Sequence, residues 1–156
     1  MSKMAETGYT MFAVTLENLQ QEAIKWADRI LNAEGAYDLL MEELLLLPGP
    51  VIDLSYWPMF SFVVDEGQQK IHFYKREGVD LSHFTLFMTN FVRKFLPEQI
   101  VTVSVAHWAD KPRADEFGGT SLIFTKDKIV QESTWDFNER KKREMKLYRG
   151  ACEYGS

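Results

Sequence analysis

The segment 81–96 carries Phe84, Phe87, Met88, Phe91, Val92 and Phe95 at helical spacing, and runs of period-two apolar residues stand on either side of it. A helix with so broad an apolar face must bury it, and a sheet built from the flanking runs offers the surface. Asp80 is positioned to cap this helix and Pro97 to end it. That single element already restricts the chain to a layered α+β arrangement.

The alternation is clearest over 100–108, where Val101, Val103 and Val105 face one way and Thr102 and Ser104 the other. Residues 60–64 and 71–75 flank Asp65-Glu66-Gly67-Gln68-Gln69 and read as a hairpin, and 120–125 and 129–134 read as another through Lys126-Asp127-Lys128. A looser run at 51–56 is also expected to be a strand. Ahead of Pro48-Gly49-Pro50 the pattern is helical. From Leu16, the residues Leu19, Ala23, Trp26, Ala27, Ile30 and Leu31 line one face, with Thr15 as the expected N-cap and Gly35 at the far end. A second helix is expected over 36–46, and a basic one over 137–149. The expectation is a single α+β domain spanning 1–156. It has a helical front (15–47), a mainly antiparallel sheet (51–135) covered by the helix 81–96 in ferredoxin-like style, and a closing basic helix (137–149).

A chain of 156 residues with 46% hydrophobic and 13% aromatic content builds such a core without metal or disulfide staples. The one cysteine, Cys152, forms no internal disulfide, which points to a reducing compartment. Residues 1–10 lack a secretory apolar stretch and the longest apolar run, 44–47, is far below membrane-spanning length. The expected location is therefore cytoplasmic. Net charge is −5 and unevenly spread: residues 1–50 hold eight acids against three bases (3 − 8 = −5), and 137–149 hold six bases against two acids (6 − 2 = +4).

Catalytic fingerprints are lacking. No phosphate loop, G-x-S-x-G, H-E-x-x-H, C-x-x-C or calcium-loop spacing occurs, and no cofactor is expected. His72 falls mid-strand, His83 in the first turn of the long helix, and His107 at a strand end near Asp110, Asp115 and Glu116. Only the last has the composition of a metal or acid–base site, without its spacing. Three surfaces remain as binding candidates. The loop after His107 offers Trp108, Lys111, Arg113 and Phe117, types enriched among interface anchors, although the two aromatics also suit pinning the loop to the sheet. The acidic front offers Glu42 and Glu43. The basic stretch Arg140-Lys141-Lys142-Arg143 invites a nucleic-acid reading, but these four wrap around a helix axis and equally suit a solvated helix or one paired with the chain's own acidic front.

Finally, Phe95-Leu96-Pro97, the alternating run from Ile100 to Ala106, Phe117-Gly118-Gly119 and Leu122-Ile123-Phe124 resemble the YubB-type ferredoxin-like domain of plasmid and mobile-element proteins. The resemblance implies that fold and a mobile-element setting. The expected function is a non-enzymatic protein-binding module, of the kind a phage or plasmid encodes as an accessory or inhibitor of a host-defence or nucleic-acid-handling protein. The alternative is nucleic-acid binding through the basic helix and one sheet face. A protein partner is expected ahead of a nucleic acid, and no membrane.

Overall fold

The computed structural model describes residues 8–44, 52–75, 81–109 and 118–155. Among them, four helices and six strands follow one another as β1 (Gly8–Leu16), α1 (Gln21–Leu31), α2 (Tyr37–Glu43), β2 (Ser61–Asp65), β3 (Lys70–Lys75), α3 (Ser82–Phe95), β4 (Val101–Ala109), β5 (Gly118–Phe124), β6 (Ile129–Ser133) and α4 (Thr134–Gly155). The strands form one sheet in the order β2-β3-β1-β4-β5-β6, with every neighbouring pair antiparallel. The α+β class and the antiparallel sheet are as expected.

The first strand departs from the expectation. Gly8–Leu16 is β1, at the centre of the sheet between β3 and β4. Thr15 is paired with His72 of β3 and caps no helix; α1 begins only at Gln21. The sheet therefore starts before the helical front, and α1 and α2 form the connection from β1 to β2. The run 52–56 is likewise not a strand. Asp53 accepts hydrogen bonds from the amide and hydroxyl of Ser55, closing a tight turn that takes the chain out of extended geometry. Asp80 and residues 45–51 lie outside the described residues.

Side chains sort by strand parity. Phe12 and Leu16 of β1, Ile71 and Phe73 of β3, Val101, Val103 and Val105 of β4, and Leu122 and Phe124 of β5 are all buried on one face. There they meet α1, through Ala23, Ile24, Trp26, Ala27, Ile30 and Leu31, and α3, through Phe84, Phe87, Met88, Phe91 and Val92. Aromatic rings bind the layers together. Phe84 lies 4.3 Å from Phe12 and 6.1 Å from Phe124, and Phe87 bridges Trp26 (5.8 Å) and Phe73 (5.5 Å). The irregular segment after α2 closes one end of this layer. Trp57 is fully buried and its indole N–H donates to the Ile30 carbonyl at 2.8 Å.

Candidate functional site

Because α1 and α3 take one face of the sheet, the residues of opposite parity define the other. Across the three central strands these are Met11, Ala13 and Thr15 of β1, Thr102, Ser104 and Ala106 of β4, and Gly119, Ser121 and Ile123 of β5. None carries a charge, in a chain of which 26% is charged. Met11 is 45% exposed, and Ala13, Thr15, Thr102, Ser104 and Ala106 are exposed as well. A sheet face turned to water is normally polar, and here Thr15, Thr102, Ser104 and Ser121 supply polarity without charge. Depletion of charge is one mark of an interface centre, and Met11 is of a type enriched there.

Two ridges border this floor. On β3, the His72 and Tyr74 rings stack at 5.4 Å, and His72 Nδ1 is 2.8 Å from the Thr15 hydroxyl. On the other side the N-terminal turns of α4 fold over β5 and β6. Thr134 fastens them: its hydroxyl accepts the Gly119 N–H at 2.7 Å and donates to the Gly119 carbonyl at 3.0 Å. Gly119 also runs close to β4, where a Cβ would sit 3.0 Å from the Val105 carbonyl oxygen. Arg140 reaches back to Glu132 of β6, with Nη1 donating to Oε2 and Nη2 facing Oε1, both at 3.0 Å, while its guanidinium lies over the Phe137 ring. Beneath is a groove of about 400 Å³ lined by Ser104, Ser121, Ile123, Glu132 and Phe137 among others.

The start of α4 is fixed by a reciprocal cap. The Ser133 amide and hydroxyl donate to Asp136 Oδ2, and the Asp136 amide donates back to the Ser133 hydroxyl. Those two donors from Ser133 hold the Asp136 carboxyl below its usual range. Further along, residues 141–146 are all exposed; Met145 is 64% and Trp135, at the helix start, 69% exposed.

Among the described residues, those singled out in the sequence stand on separate elements. Lys111, Arg113 and Phe117 lie outside the described residues, as do Asp110, Asp115 and Glu116; Trp108 belongs to β4, where its backbone pairs with Tyr9. Glu42 is exposed on α2. Glu43 is occupied internally: its carboxylate accepts from the Trp26 indole N–H at 3.0 Å and from Arg29 at 3.1 Å, with Lys94 at 3.7 Å. The Trp26 hydrogen bond, aided by the two cations, holds its carboxyl below the usual glutamate range. On α4, Lys141 pairs with Glu144, Lys142 with Glu139, and Arg140 with Glu132. Among the described residues these ion pairs stay within α4 and β6 and none joins the helix to the acidic front. Arg143 is exposed.

Of the histidines, His72 faces the open side, and His107 Nε2 lies 2.7 Å from the Thr120 hydroxyl. His83 is buried. Its Nδ1 accepts the Met59 N–H at 3.1 Å, which leaves the proton on Nε2 to donate to the Asp53 carbonyl at 2.6 Å. It is a fastener for the irregular segment. Among the described residues no group of three or more His, Cys, Asp or Glu is placed to hold a metal, and no helix is long and apolar enough to cross a membrane.

Together the fold and this surface define a class: an α+β protein whose antiparallel sheet is covered by two helices on one side and, on the other, is half-open with uncharged positions along β1, β4 and β5. No family model, curated protein or solved structure matches the chain. Sequence reasoning missed the open face because its signal is an absence. The outward positions of 100–108 were visible as polar, but their lack of charge gains meaning only beside those of β1 and β5.

Proposed function

We propose that this chain is a non-enzymatic protein-binding module that docks its partner on the open face of the sheet, between the His72–Tyr74 ridge and α4. The observation that carries it is the uncharged floor, exposed along β1 and β4 and half-buried along β5. Exposed Trp135 and Met145 extend the apolar surface along α4. Glu43 recedes as a docking residue, since its carboxylate is already engaged inside the chain. We read β1–α1–β2–β3–α3–β4 as a ferredoxin-like unit, enlarged by α2 and by β5–β6–α4; the strand order β2-β3-β1-β4 supports this reading. The mobile-element setting implied by the YubB-type resemblance suits a small accessory or inhibitor protein of this kind.

Nucleic-acid binding is the second reading, favoured by one observation: stacked His72 and Tyr74 on the open face offer a platform for a base. Against it, the basic residues Arg140, Lys141 and Lys142 are already paired with carboxylates. A photo-crosslinking side chain placed at Ala106 on the open face, and as a control at Glu22 on α1, separates the two in cells. A protein adduct that survives nuclease, formed from position 106 and not from 22, is the expected result. Adducts lost on nuclease treatment, or none at position 106, overturn the protein-docking reading.

A further inference from the structure

Among the described side chains of α4, 134–146, none is buried and only Glu139 is even half-buried. By contrast, α1 and α3 each sink an apolar face into the core. A helix in a folded protein draws most of its hold from such a face. In its place α4 has polar attachments at one end. The Thr134 hydroxyl grips both backbone groups of Gly119, and Arg140 reaches Glu132. Among the described residues, the hydrogen bonds and ion pairs from α4 to the sheet end there.

The second attachment is loose. Glu132 Oε1 is buried without a well-directed hydrogen bond and faces Arg140 Nη2 at 3.0 Å, and the Arg140 side chain is about half exposed, where solvent screens its charge. Nor is the helix packed down on the strands. The groove of about 400 Å³ has Phe137 and Arg140 on one side and Ser104, Ser121 and Ile123 on the other, and Phe137 is 45% exposed. Packed layers leave few voids larger than a water molecule. Even so, α4 shades the floor: the outward residues Thr102, Ser104 and Ala106 of β4 are exposed, whereas Gly119, Ser121 and Ile123 of β5 are half-buried. Its helical order is largely its own. Lys141–Glu144, Lys142–Glu139 and Arg140–Glu144 pairs run along it, and the Ser133–Asp136 cap closes its first turn.

We propose that α4 is a lid that lifts from β5 and β6 as an intact helix, turning at the Ser133–Thr134 junction, with the Arg140–Glu132 pair as its clasp. Closed, it covers the β5 side of the floor. Lifted, it uncovers Ser121 and Ile123 and widens the uncharged surface by one strand. The core keeps its packing, because none of the described α4 side chains belongs to it. This goes beyond the docking reading and does not depend on it.

The test is the distance between nitroxide labels at positions 102 and 145, read by pulsed electron paramagnetic resonance on the full chain. The labels are carried by Thr102→Cys and Met145→Cys, both exposed positions, with Cys152→Ser removing the native thiol. The expected result is a short, closed distance and a longer, open one. Raising salt from about 0.1 M to 1 M cuts the screening length from about 10 Å to 3 Å and enlarges the open population. Glu132→Gln at the lower salt enlarges it by about threefold, the effect of losing a partly exposed ion pair. Arg140→Gln opens the clasp from the other side and keeps the test decisive if Glu132→Gln folds poorly. Circular dichroism and the hydrogen-exchange protection of β4 stay unchanged in both variants. A single distance unmoved by salt and by both substitutions overturns the lid. A lengthening accompanied by loss of helical signal overturns it too, since α4 then melts, as does equal loss of protection in β4, since the whole fold then opens. A fixed α4 together with protein adducts from position 106 overturns the lid and leaves the docking reading standing.

Discussion

Glu43 shows how a residue read as a binding candidate becomes part of the scaffold. It stands at the end of α2, and its carboxylate gathers Trp26 and Arg29 from α1 and Lys94 from α3, joining three helices at one point. Lys94 also lies 5.3 Å above the Trp26 ring. Because Arg29 and Lys94 are about half exposed, solvent screens the ionic part and the Trp26 hydrogen bond matters most. Glu43→Gln is expected to cost about 1 kcal/mol at neutral pH, read from urea unfolding. The folded-state pKa lies below the unfolded one, so this stability is present above the ordinary glutamate range and is lost as pH falls through the depressed value. The two proteins should therefore converge in stability in acid, and a gap that persists there would show that the charge is not its source. The sequence could not show this, because the partners of Glu43 lie on separate helices and adjacent Glu42 has the same local pattern. His83 was equally opaque. Its place in the first turn of the long helix was legible, but its partners Met59 and Asp53 come from a segment without regular structure.

At the scale of elements, legibility followed contrast between faces. α3 was read to within a residue or so because its apolar face is wide and Pro97 stops it. β4 was read because Val and Thr or Ser alternate. β1 has the same period of two, with Phe12, Val14 and Leu16 turned to the core, but its outward residues Met11, Ala13 and Thr15 are uncharged and supply no contrast. The lack of charge that marks the open face also hid the strand that forms its centre. The run 51–56 failed in the opposite way: a loose alternation suggested a strand, and over 52–56 the Asp53–Ser55 turn overrode it. For α4 the sequence placed the helix at 137, and the structure starts it at Thr134, behind the Ser133–Asp136 cap. Ser133→Ala should lower hydrogen-exchange protection in the first turns of α4 by about fivefold, the effect of losing one N-cap, while the amides of β4 stay protected. The Asp136 pKa is depressed by the bonds from Ser133, so the protection it confers holds above the ordinary aspartate range and falls away as pH drops through the lowered value. Equal loss across β4 and α4 would mean that α4 is a cooperative part of the core and not an arm laid on it.

For the whole molecule, the governing fact is that one sheet separates two environments only a side chain's length apart. Thr102 and Val103 are neighbours on β4; the first is exposed on the uncharged face and the second is 1% exposed beneath the helices. If the open face is not required for the chain's own folding, charge is tolerated there and nowhere else on that strand. In dilute protein, Thr102→Lys is expected to change unfolding free energy by no more than about 0.5 kcal/mol, the range of ordinary surface substitutions. Val103→Lys has to bury an unpaired ammonium among Phe and Val side chains and is expected to cost more than about 4 kcal/mol, enough to unfold many domains of this size. The urea midpoints of the two variants check this directly. Should Thr102→Lys prove as damaging as Val103→Lys, the face would be part of the folding core of a single chain, and its missing charges would report internal packing. If Thr102→Lys leaves stability intact, a chain that could carry charge across its central strands at no cost carries none, and the reason has to lie in what the face meets outside the molecule.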